Sequence, residues 1–111
     1  MDAYPQPLPT DPSKYVWSSY TTIYQGLRYK NDTRVFRKRF EHEAMLKGQQ
    51  IVCQGIFDCL ISHIAIESTE GIPVLLRGGA GYRHFMAVIK AKPHHELRGQ
   101  VRVYCRSNHI P

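Results

Sequence analysis

Long apolar runs are missing from this chain. The longest purely apolar stretches span only a few residues, as in Ala87–Ile89, far short of the roughly 18 to 20 residues needed to cross a bilayer. No membrane span is expected. Structural zinc spacing is missing too: Cys53, Cys59 and Cys105 are the only cysteines, and they form no CxxC or Cys/His ligand pattern. No metal site is expected. Acidic residues are scarce, nine Asp and Glu against fifteen Lys and Arg, for a formal charge of +6. That excess favours acidic partners such as nucleic acid or sulfated glycan, because net charge governs association rather than fold.

The signatures of the common catalytic and cofactor loops are also lacking. In "LLRGGAGYRHFMAVIK", residues 75–90, Gly81 is followed by Tyr82-Arg83-His84, with no Gly-Lys-Ser/Thr and no completed dinucleotide fingerprint. A phosphate-binding loop leads into a helix. Here Phe85, Ala87, Ile89 and Ala91 alternate with Met86, Val88 and Lys90, which is a strand pattern. The glycines therefore read as a strand connection needing positive φ at one or more of Gly78, Gly79 and Gly81. No cofactor is expected. No Gly-x-Ser-x-Gly elbow occurs, and His42, His63, His84 and His109 have no close ligand spacing. His94 and His95 are adjacent, and in extended chain they point apart. Cys59 and His63 share a strand face but lie roughly 13 Å apart by the rise per residue, too far for a nucleophile and its base. No catalytic constellation emerges.

What is present is β signal. Hydrophobic residues make up 42% of 111, enough for one folded domain. Residues 1–14 carry Pro5, Pro7, Pro9 and Pro12, which lack amide donors and enforce extended geometry, so an extended arm is expected there. The arm has no apolar h-region, leaving either an intracellular protein, in nucleus or cytoplasm, or a mature secreted form. From Tyr15 to Tyr24 the aromatic and β-branched residues predict a strand. "EHEAMLK" at 41–47 is made of good helix formers stopped by Gly48 and is the one plausible helix, but at seven residues a single turn or a loop fits equally well. The segments "QQIVCQGIFD", "CLISHIAIES", "IPVLLRG", "YRHFMAVIKAK" and "QVRVYC" then follow with turn residues between them. In the second, Leu60, Ser62, Ile64 and Ile66 form one face and Cys59, Ile61, His63 and Ala65 the other. The fold class that results is all-β, a single antiparallel sandwich or barrel over 15–111.

Arg28, Lys30, Arg34, Arg37, Lys38 and Arg39 fall within one short segment, with Tyr29, Phe36 and Phe40 among them and only Asp32 opposing them. An edge strand protected by charge explains such a cluster. So does a surface for nucleic acid, where charge follows the backbone and rings stack on bases, or for a protein partner or a second copy. Alternation puts Val35, Arg37 and Arg39 on one face and Phe36, Lys38 and Phe40 on the other. Asn31-Asp32-Thr33 is a glycosylation sequon, making Asn31 a candidate acceptor. With three cysteines at most one intrachain disulfide can form, Cys105 with Cys53 or Cys59, and the remaining cysteine could link two chains.

The residues from Ile61 to Tyr104 resemble the multiprotein bridging factor two family of insect proteins, which includes the REPAT (response to pathogen) proteins. The likeness lies in an I-x-x-I-x-I strand at Ile61, Ile64 and Ile66, the Gly78-Gly79-x-Gly81 step, the alternating strand after it, and a terminal G-x-V-x-V-Y from Gly99 to Tyr104. Upstream, Gly26 to Arg28 with Asp32 is similar to the family's Gly-x-Arg opening. The three cysteines and "KAKPHHELRG" depart from the family pattern. The resemblance implies a small, all-β, non-enzymatic arthropod protein, commonly secreted, linked in some members to defence and in the founding member to transcriptional coactivation through protein contacts. It supplies no catalytic residue to carry over.

Overall fold

Period-two alternation is satisfied where one face of a strand meets a core and the other meets solvent. The computed structural model describes residues 14–106; most of the proline-rich segment therefore lies outside the described residues. The strands are β1 (Val16–Ser18), β2 (Thr22–Gly26), β3 (Thr33–His42), β4 (Gln49–Ile56), β5 (Ile61–Ser68), β6 (Ile72–Gly78), β7 (His84–Ala91) and β8 (Leu97–Cys105). They form a five-stranded sheet in the order β1-β2-β5-β8-β3 and a three-stranded sheet in the order β4-β7-β6. Every pairing is antiparallel.

The two sheets pack as a sandwich. β4 and β7 lie over β8, and β6 lies over β2 and β5. Between them Phe40, Cys53, Ile61, Ile64, Ile66, Phe85, Ala87, Ile89, Leu97, Val101 and Val103 form one buried cluster. The predicted alternation of β7 holds residue by residue, with Phe85, Ala87, Ile89 and Ala91 all buried.

Two local expectations fail and one open choice, between helix and turn at 41–47, is decided, each for a physical reason. Tyr15 to Tyr24 is not one strand but a hairpin: the chain reverses at Ser19–Thr21, where the Ser19 amide donates to the Thr22 carbonyl at 2.9 Å. Serines favour such local turns over a continued ladder. No helix forms at 41–47. β3 runs on to His42 because burying Phe40 keeps this stretch paired with Leu97–Gly99 of β8, and seven residues are too few to offset the cost of helix nucleation. A turn follows instead, closed by the Gly48 amide on the Met45 carbonyl at 3.1 Å, with Gly48 at φ 73°. Finally, Ile61 shares the core face with Ile64 and Ile66. The register of β5 against β8 shifts between Ile61 and His63, so Ser62 is an extra residue that reverses the phase on one side of it.

The glycine step between β6 and β7 is a turn, and all three glycines take positive φ: 64° at Gly78, 105° at Gly79 and 89° at Gly81. Its amides are already engaged. Gly79 donates to His84, Gly81 to Ile61 and Tyr82 to Gly79, while Ala80 donates to the side-chain oxygen of Gln25 on β2 at 2.8 Å. The turn thus clamps the small sheet onto the large one, and the four amides from Gly79 to Tyr82 are all taken by protein acceptors rather than turned toward a phosphate. A Cβ on Gly78 would lie 2.0 Å from the His84 carbonyl oxygen. Gly78→Ala is expected to lower the unfolding free energy by about 1–3 kcal/mol from backbone strain alone, read as a drop in the urea midpoint at unchanged slope.

Candidate functional site

β3 is an edge of the five-stranded sheet, paired on one side only, with β8. Its register shifts between Arg34 and Phe36. The extra residue, Val35, has a decisive effect on the cationic segment. Without it Arg34 would share the inward phase of Phe36; with it Arg34 stands opposite Tyr104, Arg37 opposite Arg102 and Arg39 opposite Gln100. All three arginines therefore lie on the sheet's outer face, all exposed, at the spacing of alternate strand residues, roughly 6.6 Å. None of them makes an ion pair among the described residues.

The remaining basic candidates divide. Arg28, in the β2–β3 connection, lays its guanidinium over the Tyr104 ring at 4.3 Å, which joins it to the same face beside Arg34. Lys30 sits exposed in the turn. Lys38 faces the opposite way, in the inward row with Val101, and its charge is felt by Cys53 of β4. The sequence cluster of six is thus a patch of four plus two outliers.

Strand order adds partners that are scattered along the chain. Trp17, Tyr24, His63 and Tyr104 come from β1, β2, β5 and β8, and their rings are neighbours in that order, with centroids 5.6, 6.1 and 5.8 Å apart. Trp17 is 58% exposed, and Arg28 caps the line at its other end. Beside it, Glu67 accepts hydrogen bonds from the Tyr24 hydroxyl, from Arg102 at 2.8 Å and from Gln100 at 3.2 Å. Burial pushes the Glu67 carboxyl up, but the bond from Tyr24 and the Arg102 charge outweigh it and hold the group below its ordinary range. The bond to Glu67 in turn raises the Tyr24 phenol. Glu67 therefore stays ionised and holds Arg102 as its partner, so the unpaired charge of the face comes from β3 and Arg28.

The outward phase of His63, Arg102 and Tyr104 is written in the alternation of β5 and β8. Their adjacency is not, since it depends on β8 inserting between β5 and β3. The turn before β3 is set by Asp32, whose carboxylate accepts from the Tyr29 amide at 2.7 Å and the Ser62 hydroxyl at 2.8 Å. With that side chain turned inward, Asn31 is left exposed at the tip, accessible for glycan attachment.

Cys59 and Cys105 form a disulfide, which resolves the pairing alternatives and removes both as thiol nucleophiles. Cys53 is free but only 2% exposed, and burial raises its thiol pKa against the lowering effect of Lys38. It can neither link two folded chains nor act as an exposed thiolate. Among the described residues no group of three His, Cys, Asp or Glu side chains is placed to hold a metal ion, and His109 lies outside them. No helix of the described residues is long and apolar enough to cross a membrane. No protein-family model matches the chain, and neither does any curated protein or solved structure.

Proposed function

We propose that this is a secreted, non-enzymatic binding protein that holds an acidic protein partner against the outer face of its five-stranded sheet. The observation that carries this is the in-phase set Arg34, Arg37 and Arg39, exposed and, among the described residues, without ion pairs. Like charges this close repel in the free protein, and an acidic partner converts that repulsion into attraction, fast association and selectivity. Self-assembly through the same face is opposed by the same charge. Secretion is supported by the Cys59–Cys105 bond, which persists in oxidising compartments, and by the exposed sequon at Asn31. The resemblance to the multiprotein bridging factor two family points the same way.

The test uses polyglutamate as an acidic probe at 0.15 M salt, where exposed charges act over only about 8 Å. Arg34→Glu with Arg37→Glu and Arg39→Glu is expected to weaken binding at least tenfold, while Lys90→Glu, exposed on the small sheet, leaves it within about twofold. Equal binding by the triple variant and the parent, with the fold intact, overturns the assignment.

The line Trp17, Tyr24, His63 and Tyr104 favours one second occupant, a single nucleic acid strand stacked on the rings. Trp17 is the sole tryptophan, so its fluorescence reports on that face. Oligothymidylate binding with quenching of Trp17, and with a log-log salt slope of about 0.7 per phosphate neutralised, would replace the protein partner with nucleic acid.

A further inference from the structure

A sandwich ends in four edge strands, whose outward N–H and C=O groups accept any extended chain unless something bars it. Three of the four here are barred. β1 is three residues long. β3 carries Arg34, Arg37, Lys38 and Arg39 and is broken by its bulge. β6 contains Pro73, and its register shifts between Leu75 and Arg77. β4 has none of these devices. Over Gln49–Ile56 it carries no charged residue and no proline, and its register with β7 runs unbroken from Gln49 opposite Ala91 to Ile56 opposite His84. Among the described residues no other strand pairs with it. Its outward side chains include Val52 and Ile56, 48% and 87% exposed, and Val52 continues into a row with Val88 and Val74 across the small sheet.

We infer that β4 is a strand-addition site for an extended segment of a partner protein that carries acidic side chains on one face and apolar side chains on the other. The backbone of β4 supplies the hydrogen bonds, as in other edge-strand recognition. The neighbours dictate the pattern. β4 lies over β8, on the β3 side of the sandwich, so inward residues of an added strand approach Lys38, which stands in the inward phase of β3 yet is exposed. Outward residues lie beside Val52 and Ile56. A second copy of the chain does not fit this edge: joining β4 to β4 would bring the two inward-phase Lys38 side chains toward one another. Lys38 thus selects against basic strands as well as for acidic ones. The site is separate from the outer-face arginines.

The probe is a blocked ten-residue peptide of alternating glutamate and valine, added to the oxidised full chain at 0.15 M salt, with amide hydrogen exchange as the readout. Amides within 49–56 are expected to slow at least tenfold. The fully N-methylated peptide, which keeps every side chain and loses every donor, is expected to give no protection. Lys38→Glu is expected to lose the glutamate-valine peptide at least tenfold and to gain the lysine-valine one. The triple variant Arg34→Glu, Arg37→Glu, Arg39→Glu retains β4 protection, so failure at the outer face and failure at β4 are told apart. Protection elsewhere but not in β4, equal binding of the N-methylated peptide, or β4 protection that appears without peptide in a concentration-dependent dimer would overturn the proposal.

Discussion

Phe85→Ala is expected to lower the unfolding free energy by about 3–5 kcal/mol, the range for removing a large buried ring whose surroundings cannot collapse onto the gap. Phe85 is fixed from three directions. It stands on β7 opposite Gly55 of β4, its ring stacks on Phe57 at 6.2 Å, and Phe36 of β3 meets it edge-on at 5.4 Å. The three rings therefore bridge the two sheets, and truncating the central one leaves the other two facing a void. Gly55 is what admits them, since a Cβ there would lie 2.8 Å from the Phe57 ring. Against a total stability of about 5–15 kcal/mol, the loss is visible as a large fall in the urea midpoint. Phe85→Leu, closer in volume, should cost markedly less; equal losses for both variants would contradict the packing account.

Removing the Cys59–Cys105 bond is expected to cost about 4 kcal/mol, from the chain entropy released in an unfolded state no longer closed into a loop of this size. The two cysteines are 46 residues apart. The bond ties the β4–β5 connection to the end of β8, where the register of the sheet has already slipped at Ser62. Cys59→Ser with Cys105→Ser should unfold at lower urea with native-like spectra before the transition. Alkylation gives an independent check: the native oxidised protein should label at no cysteine, and the denatured, unreduced protein only at Cys53. Rapid labelling of two or more cysteines in the native state would contradict the bond.

The β4-to-β8 region was largely legible in the sequence because its alternation is regular and its turns are marked by glycine and proline. The buried face of β7 and the inward Val101, Val103 and Cys105 of β8 follow from period two alone. Where an inserted residue breaks the period, the pattern misleads: Ser62 reverses Ile61, and Val35 reverses Arg34, so the cationic face is one arginine larger than alternation assigns it. Helix propensity at 41–47 was overridden by pairing with a strand more than fifty positions away. The same distance hides the ring line, since no local signal tells that Trp17, Tyr24, His63 and Tyr104 become neighbours.

That strand order also governs when the protein can fold. β8 is the last of the described strands, yet it lies between β5 and β3 and joins them into one sheet. Until it emerges from the ribosome, β3 has no partner in that sheet, β5 has one, and the cationic and aromatic halves of the outer face are unconnected. Non-local pairing of this kind makes folding slow. The large sheet can therefore close only after Cys105 is made, and until then β5 presents one unpaired edge.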